Sequence, residues 1–259
     1  MIAKKKGIIL LIVVTVMMVA IGFSLKPIAQ PQDYHRFVDQ RSWQGIPNAS
    51  NVLSNLPFAM AGVWGLVLLF SSGKIQFNDR RERWPWVLVA IGLILTAFGS
   101  SYYHLAPDNA RLFWDRLPMT LIFMSFVAAL LCERININLG LWLLPLLLCI
   151  GFYSVWYWYS TELRGQGDLR LYAAVQLYPL AAALVLLSLP SPYNKTHDLA
   201  IIAGFYVLAK LFEIFDKQIY EFSDHIVSGH CLKHLAAAMA GFWLVRMIWK
   251  RKTIMRDSR

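Results

Sequence analysis

Charge is scarce in this chain. Only 15% of its 259 residues are Asp, Glu, Lys or Arg, against about 25% in an ordinary soluble domain. Acid is the scarcer kind, with fifteen Asp and Glu against twenty-five Lys and Arg, a formal net charge of +10. Cysteine is nearly absent, and three residues exclude a disulfide scaffold. Fifteen Gly and eleven Pro are too few for a collagen-like or low-complexity chain. What the chain does have is apolar surface: 58% hydrophobic residues, including 10 Trp, 11 Tyr and 15 Phe, and a mean hydropathy of +0.49. That excess does not fit one compact core. It implies an all-α, polytopic membrane bundle in which several segments each cross the bilayer.

Apolar runs near the length that crosses about 30 Å of hydrocarbon lie at 7–24, 51–72, 85–104, 112–132, 139–160, 171–189, 198–216 and 229–249. The first follows Lys4-Lys5-Lys6, and no small-x-small cleavage site stands out between Gly22 and Gln30, so it reads as an uncleaved anchor. The expected organisation is a membrane anchor at 1–24, an external segment at 25–50, a seven-helix domain at 51–249 and a basic tail at 250–259. The segment 25–50 carries Pro27, Pro31, Asp33, Asp39 and Pro47 and is expected to be ordered or tethered.

Positively charged loops stay on the cytoplasmic side of a membrane. With the N-terminus inside, the inner regions hold Lys4 to Lys6, Lys74, Arg80, Arg81, Arg83, Arg134, Lys195, Arg246, Lys250, Arg251, Lys252, Arg256 and Arg259. The outer regions hold the smaller set Lys26, Arg36, Arg41, Arg111, Arg116, Arg164, Arg170 and Lys217. The positive balance is therefore a topology signal. It implies anionic lipid, and no nucleic acid, as the partner of the basic C-terminus.

Ionisable groups inside spans are costly and mark function. In GSSYYHLAPDNARLFWDRLPM, Ser100 and His104 lie four apart on one helix face. Asp115 lies one turn into the next span, across a tight turn at Pro107-Asp108-Asn109. In SGHCLKHLAAAMAGFW, His230 and His234 are again four apart, at the start of the last span. All five fall at one membrane depth, the outer one. Three imidazoles from two helices, two of them at i and i+4, are the set that a tetrahedral zinc ion with one open position requires. Such an ion lowers the pKa of a bound water to about 7 and polarises a carbonyl.

The order S-x-x-x-H, an Asp eleven residues after that His in D-x-L-P-M, and a late H-x-x-x-H resembles the alkaline ceramidases and the wider superfamily of seven-helix membrane hydrolases that includes adiponectin-type receptors. The stretch NVLSNLPFAMAG is similar to the S-N-x-x-F segment that opens the first core helix of the ceramidases. The resemblance spans about 39–240 and rests on these three patches. It implies that His104, His230 and His234 bind zinc, with Ser100 and Asp115 beside the bound water. It also implies an amide-bearing acyl lipid, lying among the helices, as substrate.

The chain departs from that family just before the first core helix. The animal ceramidases carry an acidic calcium-binding segment there, whereas DQRSWQGIPNASN offers Asp39 as its one carboxylate. A hard dication wants six to eight oxygens, so no tight calcium site is expected, and Arg41 is placed to pair Asp39 instead. Lys210, Glu213 and Asp216 form a second polar stripe, in which Lys210 and Glu213 neutralise each other or a carboxylate of the stripe orients a zinc-bound imidazole. Lys233 is expected to snorkel outward. His35, His197 and His225 are read as solvated loop residues, and Cys132, Cys149 and Cys231 as packing residues.

The leading functional reading is a zinc-dependent amidase in which Ser100 donates to the oxyanion and Asp115 relays a proton. The alternative is a non-enzymatic receptor, or a structural metal or haem protein.

Overall fold

A backbone inside hydrocarbon has to satisfy its own hydrogen bonds, and helices do so within one segment. In a computed structural model, which describes residues 2–71 and 73–254, the chain is an all-α bundle with no strand among the described residues. The helices are α1 (Ile2–Ser24), α2 (Ala49–Leu53), α3 (Leu56–Phe70), α4 (Arg83–Leu105), α5 (Asn109–Arg134), α6 (Ile137–Leu163), α7 (Arg170–Leu187), α8 (Asp198–Ile214), α9 (Asp216–Phe222) and α10 (Gly229–Lys250).

Each of the eight apolar runs is helical. Among the described residues, seven spans are long and apolar enough to cross a membrane, with α2 and α3 counted as one. The remaining run, α8, has 17 residues, about 26 Å at 1.5 Å per residue, and breaks at Phe215 before α9. Its main packing partner is α10. Large apolar side chains such as Ile9 and Val16 on α1, and Trp142 and Phe152 on α6, remain exposed, as a lipid-facing surface requires. This is the architecture of a multi-pass integral membrane protein.

Polar contacts gather at the two ends of the bundle. At one end Lys4 Nζ donates to the Ile135 carbonyl at 2.7 Å, and Arg134 Nη1 to that of Leu189 at 2.8 Å. Arg251 is 3% exposed, turned inward onto Glu133 rather than outward, and Tyr193 donates to buried Glu82. Met255 to Arg259, which include the basic residues Arg256 and Arg259, lie outside the described residues.

At the opposite end the segment 25–48 is laid across the helix ends. The Gln30 amide donates to Glu162 Oε1 at 2.6 Å, the Leu169 amide to the Ile28 carbonyl at 2.8 Å, and Arg41 Nη2 to the Ile226 carbonyl at 2.8 Å.

The α4–α5 contact is the most extensive in the bundle. Asp108 caps α5 by accepting from the Arg111 amide at 2.6 Å, which closes the turn between the two helices. Within α5, Pro118 lacks the N–H that would meet the Trp114 carbonyl. Gly99 of α4 lies against that carbonyl, so closely that a Cβ there would sit 2.1 Å from its oxygen. Both the missing hydrogen bond and the missing side chain are needed for the approach.

Gly99→Ala is therefore expected to destabilise detergent-purified protein by about 1–3 kcal/mol, the range for forced overpacking. Gly22→Ala, where nothing lies within 4 Å, is the matched control. Thermal unfolding of both variants checks this, and an unchanged midpoint for Gly99→Ala would show that the contact yields freely.

Candidate metal centre

Serine and histidine four residues apart share a helix face. Ser100 and His104 lie in the last turns of α4, while His230 and His234 lie in the first two turns of α10. The structure brings the three histidines together, all buried, with one ligand nitrogen of each within 4.8 Å of the others. Nε2 of His104 and Nε2 of His230 are 3.4 Å apart. Ring centroids are 4.9 Å apart for His104 and His230, 5.0 Å for His104 and His234, and 4.7 Å for His230 and His234. Such a donor set is suited to a metal ion.

Two local features aim these rings. The first is the break between α2 and α3 at Ser54-Asn55, just ahead of Pro57 at the start of α3. The Ser54 hydroxyl donates to the Asn51 carbonyl at 3.0 Å, so its oxygen is free to accept the Nδ1–H of His234 at 2.8 Å. That bond selects the tautomer whose Nε2 lone pair faces the cluster.

The second is the start of α10. Ser228 accepts from the Cys231 amide at 3.1 Å as the N-cap, and Asp216 Oδ1 accepts from the His230 amide at 2.7 Å. Gly229 lies so close to α8 that a Cβ would fall 2.3 Å from the Phe212 carbonyl. A side chain there would push His230 out of place.

The segment 25–48 closes the cluster. The Phe37 ring packs at 4.6 Å from His104 and 4.7 Å from His230, centroid to centroid, and is 6% exposed. Asp39 anchors that segment through a fork, with Arg41 Nε at 2.8 Å and Nη2 at 2.7 Å. Burial raises the Asp39 carboxyl, but the Arg41 hydrogen bonds outweigh it and hold the group below its ordinary value. The pairing expected of Arg41 is thus present. Asn51, fully buried, ties the segment to both helices: its Nδ2 donates to the Asp39 carbonyl at 3.1 Å and its Oδ1 accepts from Cys231 Sγ at 3.2 Å.

Ser100 is buried and lies next to the Asp115 carboxylate. Asp115 lines a polar cavity of about 270 Å³ that also meets Arg116, Lys210, Glu213 and Lys233. Lys210 and Glu213 pair at 2.8 Å, as their spacing implied. Two expectations are corrected. Lys233 does not snorkel outward: it turns inward and meets Glu213 at 3.1 Å, because that carboxylate is the nearest compensation for its charge. His35 is not solvated but bridges Tyr103 Oη at 2.9 Å and Asn109 Oδ1 at 3.0 Å. Ser54 and Phe37 had no role in the sequence reading, whereas Asp216 belonged to the second polar stripe. Ser54 alone carried a signal, as the serine of the S-N-x-x-F patch.

Fold and site define a class: a multi-pass helical membrane protein with a buried three-histidine centre near one end of the bundle. No protein-family model and no curated protein matches the chain.

Elemental analysis is the direct test of the centre. His104→Ala, His230→Ala and His234→Ala are each expected to lose most bound metal, since three ligands leave no redundancy. Ser54→Ala should weaken metal affinity about 10–100-fold, as loss of an outer hydrogen-bond partner does. Full retention in all three histidine variants would refute the assignment.

Proposed function

We propose that the protein is a zinc-dependent membrane hydrolase that cleaves the amide of a ceramide-like N-acyl lipid to a fatty acid and a free amine. The observation that carries this reading is a buried three-histidine cluster with Ser100 one helical turn from His104 and Asp115 next to that serine. Two imidazole nitrogens on one tetrahedral zinc, each bonded at about 2.0–2.1 Å, stand about 3.3–3.4 Å apart. The 3.4 Å between Nε2 of His104 and Nε2 of His230 fits that edge. The same closeness supports an ion over haem, whose macrocycle has no room between the two rings. His104, His230 and His234 would hold the zinc.

When bound, zinc supplies an activated water and a polarised carbonyl. The chain's own residues supply the rest. Asp115 is the proton carrier: its carboxylate takes a proton as the nucleophile forms and returns it to the departing amine nitrogen. Ser100 Oγ–H is the donor to the oxyanion, with its rotamer held by burial. Phe37 and the Asp39–Arg41 anchor keep bulk water away from the histidines, so proton traffic is confined to Asp115. The amide preference itself comes from the resemblance to the ceramidases.

A labelled N-acyl sphingoid lipid tests this reading. Turnover should vanish on chelation and return with zinc, and Asp115→Asn should lower it about 100-fold or more while metal content holds. Near wild-type turnover in Asp115→Asn would make the carboxylate structural and sink the mechanism.

The excess of Lys and Arg at the end that carries Lys4, Arg81 and Lys252 supports a cytoplasmic placement of that end, with the histidines toward the outer side. A cytoplasm-dependent reporter should then be active when fused after Arg259 or near Arg80, and silent near Asp108 or Ser223. The reverse pattern would turn the site inward.

A further inference from the structure

Cations inside a membrane bundle are stabilised by carboxylates or by backbone carbonyls, because a lone charge in low dielectric costs several kcal/mol. The cavity between α5, α7, α8 and α10 breaks that balance. Arg116, Lys210 and Lys233 line it, and the carboxylates that do so are Asp115 and Glu213. Glu213 is engaged twice, by Lys210 at 2.8 Å and by Lys233 at 3.1 Å, which leaves Asp115 as the second carboxylate for three cations.

Arg116 is left over. It is 6% exposed, yet it pairs with no carboxylate among the described residues. Its Nη2 donates to the neutral Gln30 side chain at 2.6 Å. Its guanidinium stacks over Trp158 at 4.2 Å and Tyr172 at 4.8 Å. Its Nη1 has no partner among the described residues.

Aromatic faces orient an arginine but do not neutralise it. A guanidinium so clamped, with one N–H edge unused and two ammonium groups nearby, is a preformed receptor for a planar or tetrahedral oxyanion. The cavity volume of about 270 Å³ admits such a group with a short stem and excludes a whole acyl chain.

We propose that this cavity binds the oxyanion group of a lipid, with Arg116 as the main donor and Lys210 and Lys233 supplying the surrounding positive charge. Asp115, beside Ser100, is part of the cavity wall, so the bound anion lies beside the proposed proton carrier. The inference deepens the proposed function and rests on it for the identity of the ligand as a lipid. Two sources share this chemistry: the carboxylate of a released fatty acid, or a phosphate in a lipid headgroup.

Titration calorimetry on the full-length protein in neutral detergent distinguishes them. The probes are palmitate, palmitoyl glycerol phosphate and uncharged monopalmitoyl glycerol as control. At least one anionic probe should bind about tenfold or more tighter than the neutral control, and the stronger of the two names the source. Arg116→Gln should abolish that preference. Lys210→Gln, at a partly exposed position where folding is not at risk, should reduce it severalfold. Both variants should keep the metal content of the wild type.

Equal affinity for all three lipids, or a preference that survives in folded Arg116→Gln, would overturn the proposal and leave Arg116 as a structural clamp between α5 and the rings beneath it. Anion preference without turnover of N-acyl lipids would instead overturn the hydrolase reading and leave the cavity standing.

Discussion

Burying three imidazoles in an apolar bundle is the constraint on which this end of the molecule is built. Each ring carries two nitrogens, and inside low-dielectric surroundings each nitrogen needs a partner or an ion. Spacing on α4 and α10 makes the rings converge, but convergence alone leaves the protons unassigned. Ser54 assigns one of them, and it reaches His234 because the first core span is broken ahead of Pro57. The break, which looks like a defect in a membrane helix, places a hydroxyl where a continuous helix would present only backbone. Asp216 acts on the backbone instead, taking the His230 main-chain amide and fixing the first turn of α10.

The same end has to hold two carboxylates and three cations, and the way it does so explains why α8 is short. The break at Phe215 ends α8 at 17 residues and starts α9 on Asp216, within reach of α10. A longer, straight α8 would carry that carboxylate past the His230 amide. Glu213, one turn earlier, stays on the bundle interior between Lys210 and Lys233. At the opposite end charge is handled differently. There Arg251 and Glu133 are buried as a pair, and Arg134 is spent on backbone carbonyl and hydroxyl oxygens. Arg116, at the other end, has a neutral amide and aromatic faces as its neighbours instead.

The features legible in the sequence were those set by local spacing. The eight apolar runs became helices, and Ser100, His104, Asp115, His230 and His234 stood out because each is polar where hydrocarbon is expected. Arg41 and Asp39, two residues apart, paired for the same reason. The remaining features depend on direction rather than spacing. Arg116 was counted as an outer loop charge, yet one step along α5 from Asp115 turns its side chain onto Trp158 and Tyr172, aromatics contributed by α6 and α7. Lys233 was assigned outward because its neighbour His234 points inward, whereas Glu213 on α8 draws it in. Phe37 carries no signal of its own, and its place over the histidines follows from the Asp39 anchor and from Asn51, which join parts of the chain far apart in sequence.

Asp115 is where these threads meet. It lies one step before Arg116 on α5, against Ser100 on α4, and on the wall of the cavity that Lys233 of α10 also lines. Its position depends on the close α4–α5 approach that Gly99 and Pro118 permit, since a wider crossing would separate the carboxylate from the serine. Under the proposed chemistry the proton carrier Asp115 and the anion donor Arg116 are neighbours on one helix and share one cavity, so the α4–α5 approach that Gly99 permits serves both.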